Sequence, residues 1–340
     1  MGADTKVEWC DHTKSPWHGC RHAKLPDGTE HPGCLHCYAE TMSRINPTTL
    51  GKWGGGGTRV VDKTFHKECR RWNAAAAKAG VQHSVFPSIC DPFEDWPFQM
   101  YFSEKDDDGR QVNSVAWWTP KRGVVRAGLT SCGYAPDERL ASMDDCRREL
   151  FATIDDCPWL NFLLLTKRPQ NVLSMWPDCA VEPNSTPHSD GRSNAWLGTS
   201  VSDQATAAAL IPDLLNCRDL SPVLFLSVEP LLGPVDLSPW LSLIDWVIVG
   251  GESGRGVRPC EVGWIDSIVE QCKAAEVRCF VKQLGSHAIV RDAETANQPV
   301  CLKLNDPKGG DMSEWPIELR VREMPAERDE LYVLDHWTLE

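Results

Sequence analysis

Three cysteines stand together near the start of the chain: Cys20, Cys34 and Cys37, spaced C-x13-C-x2-C within HGCRHAKLPDGTEHPGCLHCYAE at residues 18–40. Cys34 and Cys37 form a C-x2-C knuckle, a spacing that lets two thiolates grip one metal centre. Pro26, Gly28, Pro32 and Gly33 in the loop before them let the chain fold back toward Cys20. Structural zinc takes four ligands, and His18, His22, His31 and His36 offer a fourth; five of the ten histidines fall between His12 and His36. An iron–sulfur cluster takes Cys thiolates, and with three of them one iron stays open to a substrate or cofactor. On ligand chemistry alone zinc, iron–sulfur and unligated thiols all remain open.

The remaining polar candidates follow apolar runs. Ser88 and Asp91 come after SVF. Thr166, Lys167 and Arg168 come after NFLLL, and Thr199, Ser200 and Ser202 close AWLGTSVS. Ser227 and Glu229 end FLSVEP. Gly250, Gly251, Glu252 and Arg258 belong to GGESGRGVRP, and Lys282 and Gln283 to CFVKQ. In parallel α/β folds ligands collect at the carboxyl ends of strands, so these groups are expected to converge on one mouth. GGESGRG matches neither the P-loop nor the dinucleotide fingerprint. It serves equally as a tight turn or as a set of backbone N–H donors for an anion. Glu229 follows a buried-looking run directly, where a carboxylate is costly unless paired or at a mouth, so a ligand role is expected.

The elements that must position these groups are short apolar strands alternating with helices. Residues 84–90, 161–166, 195–201, 222–228, 245–251 and 278–283 read as strands covered on both faces, and 5–10 as a further one. Helices are expected over 37–46, 65–79, 136–156, 202–217 and 262–276, the third with Leu140, Met143, Leu150 and Ile154 on one face. The alternation predicts a partial or full parallel (β/α) barrel over residues 1–286. An insertion or lid is expected near 101–134, a polar loop over 180–194, a flexible connection over 51–60 and a peripheral extension over 287–340.

The 340 residues suit one α/β barrel with insertions, and 41% apolar with 24% charged residues allow a sizeable core. No run of about 18 apolar residues occurs, so no membrane partner is expected, and the first residues lack an apolar signal core. A cytoplasmic protein is therefore expected. That compartment argues against reading the fifteen cysteines as a disulfide framework. Most of the others, such as Cys90, Cys157, Cys217 and Cys279, read as small core residues. A formal charge of −13 opposes non-specific binding to nucleic acid. Nothing physical in the sequence accounts for fifteen tryptophans against four tyrosines.

In order along residues 5–286, EWCDHTKSPWHGC, HPGCLHCYAE, SICDPFEDW, FLLLTKRP, WLGTSVSDQ, FLSVEPLLGPVDL, DWVIVGGESGRGVRP and CFVKQLG resemble a phage-associated family of three-cysteine-motif proteins. That family is itself similar to radical S-adenosylmethionine (SAM) enzymes. The resemblance implies a radical-SAM-type barrel with a [4Fe–4S] cluster on Cys20, Cys34 and Cys37. The open iron would chelate SAM, whose cleavage yields a 5′-deoxyadenosyl radical. By position, Ser88, Ser200, Glu229, Gly250, Gly251 and Glu252 would then hold SAM. Lys167, Arg168, Arg258 and Lys282 would hold an anionic substrate. The partners so implied are a flavodoxin- or ferredoxin-like electron donor and a nucleotide or nucleic-acid base, in the host cytoplasm if the chain is phage-encoded. Radical-SAM enzymes usually space their cysteines C-x3-C-x2-C, with an aromatic residue before the last. Here the first gap is thirteen residues and His36 holds that place, with Tyr38 following the last cysteine.

Two other functions are weighed beside this one. One is a non-enzymatic zinc- or iron–sulfur-binding module in a phage or defence complex. The other is a metal-dependent hydrolase using Asp91, Glu229 and Glu252, which stand at no recognised metal-ligand spacing. Substrate, product and oligomeric state are not legible.

Overall fold

The structure, a computed structural model, describes residues 5, 7–120, 122–126, 138–177, 191–254, 256–291 and 298–325. The chain divides into two compact units, Met1–Leu197 and Gly198–Glu340.

The first unit opens with strands β1 (His12–Thr13) and β2 (Trp17–His18). Helices α1 (Tyr38–Ile45) and α2 (Pro47–Leu50), strand β3 (Val60–Val61) and helix α3 (Phe65–Ala79) follow. Next come β4 (His83–Phe86), β5 (Tyr101–Lys105), β6 (Gln111–Thr119), β7 (Gly123–Arg126) and β8 (Arg139–Leu140). Helix α4 (Met143–Asp156), strand β9 (Leu160–Thr166), helix α5 (Val172–Met175) and β10 (Ala195–Ser200), which crosses the boundary, complete it. α3 buries Phe65, Cys69, Trp72 and Ala76 along one stripe. It stops at Gly80, whose φ of 66° only glycine adopts without strain. α4 begins with a capping box in which Ser142 and Asp145 satisfy each other's backbone donors. Residues 101–105, 111–119 and 123–126 of the expected insertion are strands: β2, β3, β5, β6 and β7 make a second sheet, with β8 beside β6.

The second unit holds helix α6 (Gln204–Leu215), strands β11 (Leu224–Val228), β12 (Trp246–Gly250) and β13 (Cys260–Glu261), and helix α7 (Val262–Ala274). Strands β14 (Arg278–Gln283), β15 (Ala288–Val290) and β16 (Val300–Cys301) follow. β11 and β12 are buried at every position, which is why they read as unbroken apolar runs. β13, β15 and β16 form a three-stranded sheet. Described residues after 286 pack within this unit: Trp315 and Leu319 are buried, and the Trp246 ring N–H donates to Glu323 O at 2.9 Å.

The fold is mixed α/β around a seven-stranded parallel sheet of order β1–β4–β9–β10–β11–β12–β14. β1 and β14 end that order, so among the described residues it is open, as a partial barrel requires. Six of the seven expected strands are present with ends shifted by a few residues. The seventh differs. Residues 8–9 form a turn, and the edge strand is β1, where His12 and Thr13 pair with Val85 and Phe86. Two buried polar residues carry no apolar pattern to read. The helix expected over 136–156 begins only at Met143. Leu140 lies in β8 and is exposed, because the Ser142 cap fixes the start. Residues 136–137, 121 and 127–134 of the expected insertion, 180–190 of the expected loop, and 292–297 and 326–340 of the expected extension lie outside the described residues.

Candidate functional site

In the first unit three loops leave the carboxyl ends of β1, β4 and β9 and are tied together by hydrogen bonds. Lys14 N donates to Phe86 O at 3.1 Å and Gly19 N to Ile89 O at 3.3 Å. Gly19 has φ 106°, and a Cβ there would stand 2.6 Å from Thr58 O, so only glycine lets the chain turn beside Cys20. The long spacer of the cysteine motif then doubles back. Leu25 N bonds Thr29 O and His31 N bonds Ala23 O, both at 2.8 Å. His22 bridges Glu30 at 3.1 Å and Glu40 of α1 at 2.9 Å. His31 accepts from Gly33 N at 3.0 Å, capping the short turn that carries Cys34. Three of the four histidines offered as a fourth metal ligand are thus engaged in holding the loop, the third being His18, which bonds Thr49 O at 3.0 Å.

Cys34 is buried, Cys20 and Cys37 are partly so, and Cys37 stands at the N-cap position of α1. Burial pushes the Cys34 thiol up, while Lys167 and the Ala23 N–H act against it. Cys20 is likewise raised, by burial first and then by Glu94, against the pull of Arg168 and Arg59. The Cys20 sulfhydryl donates to Arg21 O at 3.1 Å.

Buried ion pairs frame this loop. Asp91 accepts from Arg168 Nη1 at 2.6 Å, Thr166 Oγ1 at 2.7 Å, Phe93 N at 3.0 Å and Lys167 N at 3.1 Å. Burial alone raises the Asp91 carboxyl, but Arg168 and then these donors outweigh it and hold it below the usual carboxylate range. Arg168 also donates to Arg21 O at 2.7 Å and lies 3.8 Å from the Cys20 sulfur. Glu94 takes both Arg59 Nε and Nη2 at 2.8 Å and the Arg21 N–H at 2.9 Å. The Arg59 guanidinium stacks 3.8 Å from the Trp96 ring. Arg59 and Glu94 carry no role in the sequence reading. Glu94 stands in the same SICDPFEDW run as Asp91, but Arg59 follows a glycine run and gives no signal. Ser88 is half-buried, and its carbonyl accepts from the Tyr38 hydroxyl at 2.5 Å.

The second unit carries the other candidates. Ser200 is buried at the end of β10. Glu229 follows β11 and meets Lys282 of β14 at 3.0 Å. Gly250, at the end of the strand between them, leaves the room: a Cβ there would stand 3.1 Å from Glu229 Oε1 and 3.0 Å from Gln283 O. A Cβ on Gly251 would collide with Leu284 O, so close packing by itself explains this glycine. Glu252 and Arg258 pair through Nη2 at 2.5 Å, Nε at 3.2 Å and the Arg258 N–H at 2.9 Å. The residues assigned to cofactor and to anionic substrate therefore bind each other here, Glu229 with Lys282 and Glu252 with Arg258.

No group of three or more His, Cys, Asp or Glu side chains among the described residues stands ready to hold a metal ion. The donor chemistry still fits a cysteine-bound centre. Cys34 and Cys37 interact, and Arg168 beside Cys20 and Lys167 near Cys34 favour the thiolate forms, against burial and, at Cys20, Glu94, which leave both thiols raised. A metal would require the Cys20 thiol to give up its bond to Arg21 O.

Fold and site define a parallel α/β protein with a cysteine-rich loop at the carboxyl edge of its sheet. The chain belongs to a family of proteins of unknown function, DUF5131, whose pattern matches residues 108–314. That span takes in Arg168, Glu229, Glu252 and Lys282 and leaves out residues 20–37. No curated protein and no solved structure matches. No helix among the described residues is long and apolar enough to cross a membrane.

Proposed function

We infer that this chain is an iron–sulfur protein of radical-SAM type, with Cys20, Cys34 and Cys37 as the cluster ligands. The observation that carries the reading is the cysteine loop itself. It is pinned at the carboxyl ends of β1, β4 and β9 with Arg168, clamped by Asp91, against the Cys20 sulfur. When bound, the cluster supplies one electron to cleave SAM. The chain's own residues do the rest. The folded spacer presents Cys34, burial excludes water from its sulfur, and Arg168 and Lys167 balance thiolate charge. Lys282 and Arg258, with Glu229 and Glu252, are the groups that recognise a charged substrate such as a nucleotide by exchanging a partner. A flavodoxin- or ferredoxin-like protein is the class of electron donor this reading requires. The wider role is modification of a nucleotide or nucleic-acid base in a phage context.

The test is anaerobic reconstitution with iron and sulfide, followed by iron and zinc analysis, visible spectra, and addition of SAM with a chemical reductant. About four irons per chain and 5′-deoxyadenosine are expected. Stoichiometric zinc without a cluster would replace this reading with the zinc module. A cluster that leaves SAM intact would limit it to structure or electron transfer.

A further inference from the structure

Arg168 is bound on every side. Its Nη1 donates to Asp91 Oδ2 at 2.6 Å and faces the Cys20 sulfur at 3.8 Å, its Nη2 donates to Arg21 O at 2.7 Å, and its backbone N–H donates to Thr166 Oγ1 at 2.9 Å. Asp91 cannot swing away, because three further donors fix its carboxylate. Arg21 O, which accepts the Cys20 sulfhydryl at 3.1 Å, is the same atom that accepts from Arg168. A metal displaces the thiol proton. Arg21 O then keeps one donor, and the sulfur, now anionic, keeps a guanidinium N–H beside it. A planar fork serves all three acceptors from two fixed nitrogens; an ammonium, with its donors on one nitrogen, does not match that spacing.

We propose that Arg168 is the positioning residue of the cysteine centre: held by Asp91, it donates to the Cys20 sulfur and stabilises Cys20 as a metal ligand. It acts through that sulfur and does not meet the substrate. This rests on the cysteine-ligand reading above, and it gives the Arg168 charge a task different from substrate binding.

The experiment compares the full-length wild type with Arg168→Lys, which keeps the charge opposite Asp91 and loses the fork. Zn²⁺ alone is the first probe, titrated anaerobically into metal-free protein against a chromophoric chelator. The expected result is a loss of affinity of about tenfold or more, the usual effect of removing a partner of a metal ligand. The second readout is the midpoint potential of the reconstituted cluster, which is expected to fall because a donor to sulfur is gone. Arg71→Met, on the exposed face of α3, should change neither. Affinity and potential both unmoved overturn the proposal, and so does lower affinity with the potential unmoved, which marks a merely structural role. An equal loss in Arg71→Met overturns it too, by showing a general charge effect. If Arg168→Lys does not fold, Asp91→Asn with the arginine intact takes its place: a smaller loss supports the proposal and none overturns it. A wild type that takes up neither zinc nor a cluster sinks the cysteine reading itself, an outcome distinct from these.

Discussion

Arg168 and Lys282 both stand at the carboxyl ends of parallel strands, and both face a carboxylate. Arg168 is 7% exposed and spends its guanidinium on Asp91, Arg21 O and the Cys20 sulfur. Lys282 is 23% exposed, with one bond to Glu229. The first unit thus fixes its charges around thiols and leaves them little freedom to exchange. The second keeps the Glu229–Lys282 pair nearer water, where a ligand replaces a partner at lower cost. A rigid, charge-matched frame suits a resident inorganic group, and exchangeable pairs suit a substrate that comes and goes.

The largest expected effect breaks or confirms that division outright. Cys34→Ala should abolish bound iron after reconstitution, and Cys260→Ala, a buried thiol of the second unit, should leave iron content unchanged. Iron per chain is the measurement. Iron retained by Cys34→Ala removes the ligand assignment, and iron lost by Cys260→Ala places the centre elsewhere.

Stability gives the next contrast. Asp91→Ala strands the Arg168 charge in a buried site and should cost about 3–5 kcal/mol. Glu229→Gln, in the more exposed pair, should cost about 1 kcal/mol or less. Urea unfolding of metal-free protein measures both. Equal costs would mean that the two clusters are equally committed and that the second is structural as well.

The parallel sheet was legible because its strands are buried on both faces, and β11, β12 and β14 lie close to where their apolar runs place them. β1 was not, since its two buried residues are His12 and Thr13, and pairing with β4 rather than composition makes it a strand. Asp91 and Arg168 were legible as polar residues after strands, but not as partners of one another, because pairing is set by which strands are neighbours. Arg59 was invisible for the same reason: Glu94, thirty-five residues away in sequence, is what buries it. The spacer that looked out of place between Cys20 and Cys34 is a folded turn, and several of the histidines that suggested zinc hold it there.

Gly250 sharpens the comparison within the second unit. Gly250→Ala puts a methyl group 3.1 Å from Glu229 Oε1 and 3.0 Å from Gln283 O. Overpacking of this kind costs about 1–3 kcal/mol, and it should also part Glu229 from Lys282. Thermal unfolding and a crystal structure of the variant check the two halves. A variant as stable as the wild type, with the pair intact, would show that the strand ends yield more than the sheet register implies.

The smallest expected effect concerns pH at the cysteine spacer. Burial by itself lowers the pKa of His22, but hydrogen bonds to Glu40 and Glu30 outweigh it and the net shift is upward. A group raised in the folded state stabilises fully below its unfolded pKa, about 6.5 for histidine, and that contribution is lost as pH rises through the raised value. The tie between spacer and α1 should therefore loosen as pH rises above about 6.5 and through the raised value. Amide exchange at Leu25 and His31, corrected for the intrinsic rate, should show protection falling over that interval. The Gly251 amide, bonded to Gln283 O in the second unit, should not follow it. His22→Gln should flatten the dependence at Leu25 and His31. Protection that rises with pH, or that falls equally at Gly251, would mean that the Glu30–His22–Glu40 bridge is not what holds the cysteine loop in place.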